Sequence, residues 1–510
     1  MHERSILIIG AGIGGLATGC YTQANGYRTR ILEMNSTPGG VCTSWTRNGY
    51  TFDGCIHNLA GCGTGSTLHE LWRELGVVPE VPMHAYKEMV RVDRSTGEPL
   101  KVHADPEKLE RVLMRLSPAD ASTIAELIDG VRKSSRFDIL GLAVATPWER
   151  VKALANAIPL FAKYGAMTLE KFALRFKDPF LRQAFPTLMY DWPKQSMLML
   201  LSFLAGLNNK DLGWPIGGSA ALARAIERRF LLLGGEIQYH AKVQSILVEN
   251  DRAVGVVLSD GSEQRADIII SNAYGPATIF DMLAGRYTSP AIRRYYAHPE
   301  DRVEMGLHVS LGVARTFEDE PHAMVMLLDQ PAEIDGELRH RLYVQIFGYD
   351  HSMAPRGKCV VKVLLPTSYS RWMELYRNPE QYKAQKARVA QEVIRQLAKR
   401  FEGLDRQIEV VDVATPATTT AYTGNGRGFR FSLSRMVLGL FAGRRVSQTL
   451  PGLQNFYMVG QWAGLPGAPL VAAMGRDLAR DICAWDERPF ISPQVAITRI
   501  RPTSASKRAA

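Results

Sequence analysis

Cysteine is scarce in this chain: six residues in 510, at positions 20, 42, 55, 62, 359 and 483, with no CxxC pair and no Cys/His spacing suited to a metal. That scarcity excludes a disulfide-built scaffold and a structural metal site, and it predicts reduced thiols in a cytoplasmic setting. Long apolar runs are also missing. A membrane-spanning helix needs about 18 apolar residues in succession, and the longest candidate, Gln195 to Asn209, falls short. No GxSxG elbow, Walker lysine or HExxH pair occurs, so hydrolysis, phosphoryl transfer and zinc chemistry have no support. The net charge of +10 is scattered, with no basic stripe interleaved with aromatics. Nucleic acid is therefore not an expected partner, and attraction to an anionic membrane surface explains the charge more economically.

What the chain does have is apolar mass and glycine in telling places. At 46% hydrophobic over 510 residues it can build two or more cores. Ser5 to Gly10 reads as a buried parallel strand running into Gly10-Ala11-Gly12-Ile13-Gly14-Gly15, then a helix through about Asn25 and a second strand, Thr29 to Leu32, that ends in Glu33. This is the dinucleotide fingerprint in its required context. Gly10 makes the tight turn, Gly12 lets backbone approach the pyrophosphate, and Gly15 lets helix pack on strand. The helix N-terminus receives the phosphate charge, and Glu33 accepts from the ribose hydroxyls. The run Ile6 to Cys20 after Arg4 imitates an export signal, but cleavage there would delete these glycines and leave Glu33 without a purpose.

Farther on, about Glu80 to Leu212 reads as largely helical, including Pro106 to Arg115, Thr123 to Lys133 and Glu149 to Tyr164. The last of these carries Arg150, Lys152 and Lys163 among apolar residues, a pattern shared by a membrane-surface helix and by a core-packing helix with a solvated basic face. The nucleotide fold returns at Trp214-Pro215-Ile216-Gly217-Gly218, a helix from about Ser219 to Leu233, and strands at Glu236 to Tyr239, Lys242 to Glu249, Ala253 to Leu258 and Asp267 to Ser271. Strands at Glu304 to Val313, Met324 to Leu328, Leu342 to Phe347 and Val360 to Leu365 suit a second, mainly antiparallel sheet, followed by a long helix, Glu380 to Phe401. The chain re-enters the first domain at Phe456 to Gly460, and the tail after Pro489 reads as disordered.

Four blocks together resemble the phytoene desaturase, carotenoid isomerase and retinol saturase family of FAD-dependent oxidoreductases, within the amine-oxidase-like fold group. They are Gly10 to Gly15 with Glu33; Pro38-Gly39-Gly40 with Gly49 to Asp53; Trp214 to Gly218 with Gly234-Gly235-Glu236 and Val243; and Gly460 through Gly475. The resemblance implies an α/β chain: a discontinuous Rossmann-like FAD-binding domain (1–80, 213–285 and 441–488), a helical substrate- or membrane-facing region (81–212), a sheet-and-helix substrate domain (286–440) and a flexible tail (489–510). It implies that Gly39, Gly40 and Val41 run beside the cofactor, that backbone at Val243 holds the adenine, and that Gly460, Gln461, Leu470 and Val471 approach the flavin. Val41 stands where amine oxidases usually carry Arg, which argues against an amine substrate. Gln461 stands where an acid is common, and it can still bond a ribityl hydroxyl. Cys483 lies beyond the flavin loop, so non-covalent FAD is expected.

The implied chemistry is desaturation, saturation or isomerisation of carbon–carbon bonds in a hydrophobic polyene. At roughly 0.8 kcal/mol per buried CH₂, such a substrate needs few polar handles. The expected tunnel lining is Phe185, Met189, Tyr190, Trp192, Met197, Met199 and Phe203. His57, which follows directly on the flavin-contacting loop, is the first acid/base candidate, and Asp191 is the second. No second strand-glycine-helix-acid unit is present, so electrons exchange with oxygen, a quinone or transiently bound NAD(P)H. An amine oxidase and a non-catalytic prenyl- or lipid-binding escort are the competing readings.

Overall fold

The computed structural model describes residues 4–94, 96–136, 141, 158–297, 301–426, 448–464 and 466–500. Its first layer is a parallel sheet whose described strands run in the order Glu236–Gln238, Arg28–Leu32, Ser5–Ile9, Ile268–Ser271, Phe456–Met458. Strand Ser5–Ile9 is apolar on both faces because helices cover Ile6 and Ile8 while the antiparallel strands Val243–Glu249 and Arg252–Leu258 cover Leu7 and Ile9. Helix Ile13–Ala24 follows it and packs against Ala468–Trp485. The two helices meet at Gly475, where a Cβ would stand 2.6 Å from Thr18 Oγ1 and 3.0 Å from the Gly14 carbonyl oxygen.

The second layer is a mixed sheet in the order Ile408–Ala414, Arg302–Val313, Cys359–Ser368, Glu337–Ile346, Ala323–Ile334, Glu88–Asp93, Leu100–His103. All its pairings are antiparallel except that of Ala323–Ile334 with Glu88–Asp93. Helix Pro379–Arg400 covers one face with Val389, Val393 and Leu397. The four strands expected here are present and longer than expected. Three more join them, and two of those, Glu88–Asp93 and Leu100–His103, come from the stretch expected to be helical.

Within that stretch the expected helices do form at Pro106–Leu116 and Ala121–Ser134. The apolar run yields a buried helix of 12 residues, Met197–Asn208. Among the described residues no helix is long and apolar enough to cross a membrane. Arg150 and Lys152 lie outside the described residues. Lys163 ends a helical turn and pairs with Glu126 at 3.2 Å, a partner Glu126 shares with Arg175. The tail also departs from expectation. Pro493–Ile500 is a helix with Ala496 buried, and Asn25 ties the preceding loop down through Ile491.

A hairpin, Ser44–Arg47 and Tyr50–Asp53, joins the layers. Its turn, Asn48-Gly49, has both residues at positive φ (49° and 82°), the geometry of a two-residue type I′ turn. At the far end lies Asp53, 1% exposed. Its carboxylate accepts from Ser219 N at 2.6 Å, Ser219 Oγ at 2.9 Å, Cys55 N at 2.9 Å, Ile56 N at 3.1 Å and Ser44 Oγ at 2.9 Å. Its carbonyl accepts from the buried ammonium of Lys362 at 3.1 Å. Hairpin, nucleotide-domain helix and second sheet are thus fastened at one residue. Asp53→Ala strands several buried donors and should lower the unfolding free energy by at least about 3 kcal/mol. Urea titration of the purified variant measures this.

Candidate active site

The glycine loop closes around one side chain that the motif does not contain. Asn272 follows the buried strand Ile268–Ser271, and its Nδ2 donates to Gly10 O at 3.4 Å. A Cβ at Gly12, Gly14 or Gly460 would each stand 2.7 Å from this amide. Three glycines from opposite ends of the chain are therefore gathered at one point. A Cβ on Gly15 would meet the Gly10 carbonyl oxygen at 2.2 Å, the helix-on-strand contact expected of that position.

The second glycine pair is built in alongside. Gly39 has φ +115°, a Cβ there would lie 2.2 Å from Cys42 O, and its N–H donates to Ala11 O at 2.8 Å. Gly40 packs against Gly12. Glu33 is buried and accepts from Ala11 N at 2.8 Å and Asn35 N at 2.9 Å. Chain from His240 to Val243 runs along the same edge, with His240 N donating to Asn35 O and Ala241 N to Glu33 O. At the other end, Gln461 follows Gly460. Gly467 opens helix Ala468–Trp485 with no side-chain cap, Leu470 faces the cavity and Val471 is buried behind it. Helix Ile13–Ala24 is likewise uncapped by Gly12. Neither helix start has a side-chain cap competing for its first-turn N–H groups, and at the second of them Leu470 N and Val471 N donate to Gly467 O at 3.0 Å. Asn425 accepts from Trp462 Nε1 at 3.0 Å.

Beside this cradle lies a cavity of about 1180 Å³, bounded by Val41, the loop from Gly54 to Ala60, Trp462 and Leu470. Of the seven residues expected to line a tunnel, Met189, Tyr190, Trp192, Met199 and Phe203 do so. Phe185 instead packs at a tilt against Phe172 and Phe176, and Met197 is wholly buried in the core. His57 faces the cavity. Asp191 does not: it pairs with Arg341 at 2.5 Å and secures a left-handed turn (φ 56°) to the second sheet. Burial raises the Asp191 carboxyl, and Arg341 opposes that rise.

Two groups escaped the sequence reading. His308 lines the cavity, and Lys362 is buried next to it. Residues 308, 345 and 362 share one face of the sheet, since Lys362 pairs with Ser310 and with Gln345 across its neighbours. His57 Nδ1 lies 3.1 Å from Gln345 Oε1, and His308 Nε2 lies 3.0 Å from Met305 O. Both partners only accept, so those nitrogens carry the protons and the opposite nitrogens keep lone pairs. Burial and the Lys362 charge push both imidazoles down, His308 to about 3 and His57 well below its ordinary value. Burial pushes Lys362 down to about 8, against the pull of Asp53.

Residues 8–75 match the model of the NAD(P)-binding Rossmann-like domain. The phytoene desaturase (neurosporene-forming) of Rhodobacter capsulatus is 27% identical, with 92% of this chain and 91% of that one aligned. The chloroplastic prolycopene isomerase of Arabidopsis thaliana is 26% identical over 91% of this chain and 80% of its own. The chain is a homologue of phytoene desaturases and prolycopene isomerases. Its fold is shared with the crystal structure of an oxidoreductase from Methanosarcina mazei, at a TM-score of 0.57 and 18% identity, covering 93% of this chain and all of the other. Val41, where amine oxidases were expected to carry Arg, contributes to the cavity wall.

The buried neutral histidines set a pH dependence. His308 and His322 both have folded values near 3 against an ordinary 6.5. The unfolded chain therefore takes up protons first, and stability present above 6.5 is lost as pH falls toward 3. Between pH 7 and pH 5 these two residues should remove about 4 kcal/mol of unfolding free energy. Urea midpoints across that range check it, and His308→Gln should reduce the slope.

Proposed function

We propose that the protein is an FAD-dependent oxidoreductase acting on carbon–carbon bonds of a hydrophobic polyene or isoprenoid, in the direction of desaturation. The reading is supported by homology to desaturases and isomerases of polyenes and by a largely apolar cavity that reaches Val41, Gly467 and Leu470 at one end of the cradle. The cradle fits FAD because its glycines leave no room for side chains where backbone must approach the cofactor. Gly10, Gly12, Gly14, Gly15, Glu33, Gly39 and Gly40 would take the pyrophosphate and adenosine ribose, Val243 the adenine, and Val41, Gly460, Gln461, Leu470 and Val471 the flavin half. Bound there, FAD supplies a two-electron acceptor for hydride. Cys483 is wholly buried between Tyr27 and the helix core, which supports non-covalent attachment.

The feature favouring desaturation is that each of the two cavity histidines has one ring nitrogen within hydrogen-bond distance of an oxygen acceptor, which leaves the other nitrogen its lone pair. Forming a double bond removes a proton from the carbon next to the one that loses hydride. His57 Nε2 and His308 Nδ1 keep lone pairs that can take that proton once hydride loss has made it acidic, burial and the Lys362 charge leaving both imidazoles weak bases. Gln345 fixes the His57 ring in the accepting tautomer, and the Lys362 charge keeps it neutral. Met189, Trp192 and Phe203 exclude water and orient the chain.

Anaerobic addition of candidate polyenes to the purified yellow protein should bleach the oxidised flavin band. Reoxidation of pre-reduced flavin by substrate would mean saturation, and a colourless protein unable to take up flavin would overturn the enzyme reading. His57→Ala should retain flavin while turnover falls by roughly 10²–10⁴, the usual share of a general acid–base group. Unchanged turnover would remove His57 from the reaction.

A further inference from the structure

Cys42 and Cys55 flank the hairpin and take no part in the chemistry above. Their relation follows from its phase. A two-residue turn makes Arg47 and Tyr50 a hydrogen-bonded pair, so such pairs recur at Trp45/Phe52 and Thr43/Gly54. Gly54 N donates to Thr43 O at 2.9 Å, in keeping with that phase. The strands end at Ser44 and Asp53, and the same phase carried two residues past them sets Cys42 opposite Cys55 in the non-hydrogen-bonded position. There Cα atoms approach to roughly 4.5 Å with side chains on one face, inside the roughly 4.4–6.8 Å that a disulfide spans. The neighbouring Cys55 thiol and burial push the Cys42 thiol well above its ordinary value. Cys42 is 3% exposed, whereas Cys55 is partly exposed and lines the cavity.

We propose that Cys42 and Cys55 form a reversible redox modification site in the cavity wall, oxidised by hydrogen peroxide. The Cys55 thiolate attacks one peroxide oxygen, breaking the O–O bond to give Cys55 sulfenic acid and hydroxide. Cys42 sulfur then attacks the sulfenic sulfur, the S–S bond forms, and the second hydroxide leaves as water with the Cys42 proton. Two thiols lose two electrons, and peroxide is reduced to two waters. The cross-link ties the Gly39 turn, which accepts from Cys42 N at 3.0 Å, to the loop that leads into His57. A dithiol reverses it.

The test treats the full-length protein with hydrogen peroxide, alkylates remaining thiols and maps peptides without reduction. The expected product is a linked Cys42–Cys55 peptide lighter by two hydrogens and lost on adding dithiothreitol. Cys42→Ser should halt Cys55 at a sulfenic acid that dimedone traps, and Cys55→Ser should leave Cys42 free to alkylate. Sulfenic or sulfinic acid accumulating on wild-type Cys55 without the linked peptide would overturn the proposal. So would two freely alkylated thiols in protein whose methionines have oxidised. The wild-type result stands even where a variant fails to fold.

Discussion

A buried carboxylate is tolerable only when its lone pairs are filled, and Asp53 meets that condition by drawing on three separate parts of the chain. Backbone N–H groups of its own loop, the start of the Gly218–Leu232 helix and the hydroxyl of Ser44 all converge on it. The loop so held runs directly into His57. Its shape is set by electrostatics in the interior rather than by contacts at the surface. Because the Asp53 carbonyl also receives the Lys362 ammonium, the second sheet is registered against the nucleotide domain by the same residue.

Lys362 has a second effect. A cation in a medium of low dielectric acts over several ångströms, and His57 and His308 both lie within its reach. Burial first, and this charge second, hold two imidazoles neutral that would titrate near neutrality in water. Their tautomers are set separately, by Gln345 and by the Met305 carbonyl. Charge and orientation are supplied by different neighbours, which lets the cavity keep an apolar wall.

What could be read from the sequence was whatever is contiguous. The Gly10 to Gly15 loop, Glu33 and the Gly39-Gly40 pair carry their meaning in local spacing, and His57 could be placed because it follows the cofactor loop by a few residues. Asn272 could not, because its role arises from Gly10 and Gly460 being brought to it across 187 residues of intervening chain on one side alone. Lys362 and His308 sit in strands whose alternation reads as core. A lysine inside Val360-Val361-Lys362-Val363-Leu364 was nevertheless a visible signal, since an unpaired charge is not placed among such neighbours without a partner. Glu88–Asp93 was missed because its apolar pair is short and the surrounding stretch favours helix. Ile408–Ala414 alternates clearly and was obscured by following the long helix directly.

The parallel sheet draws its central strand from residue 5 onward and its outer strand from residue 456, with the Ile268–Ser271 strand between them. During synthesis the glycine loop emerges first yet has no wall against which to close until nearly the whole polypeptide has left the ribosome. Contacts of such long range make folding slow relative to local pairing. The nascent chain must therefore carry an unfinished nucleotide fold, with the outer edge of Ile268–Ser271 uncovered, until Phe456–Met458 has been made.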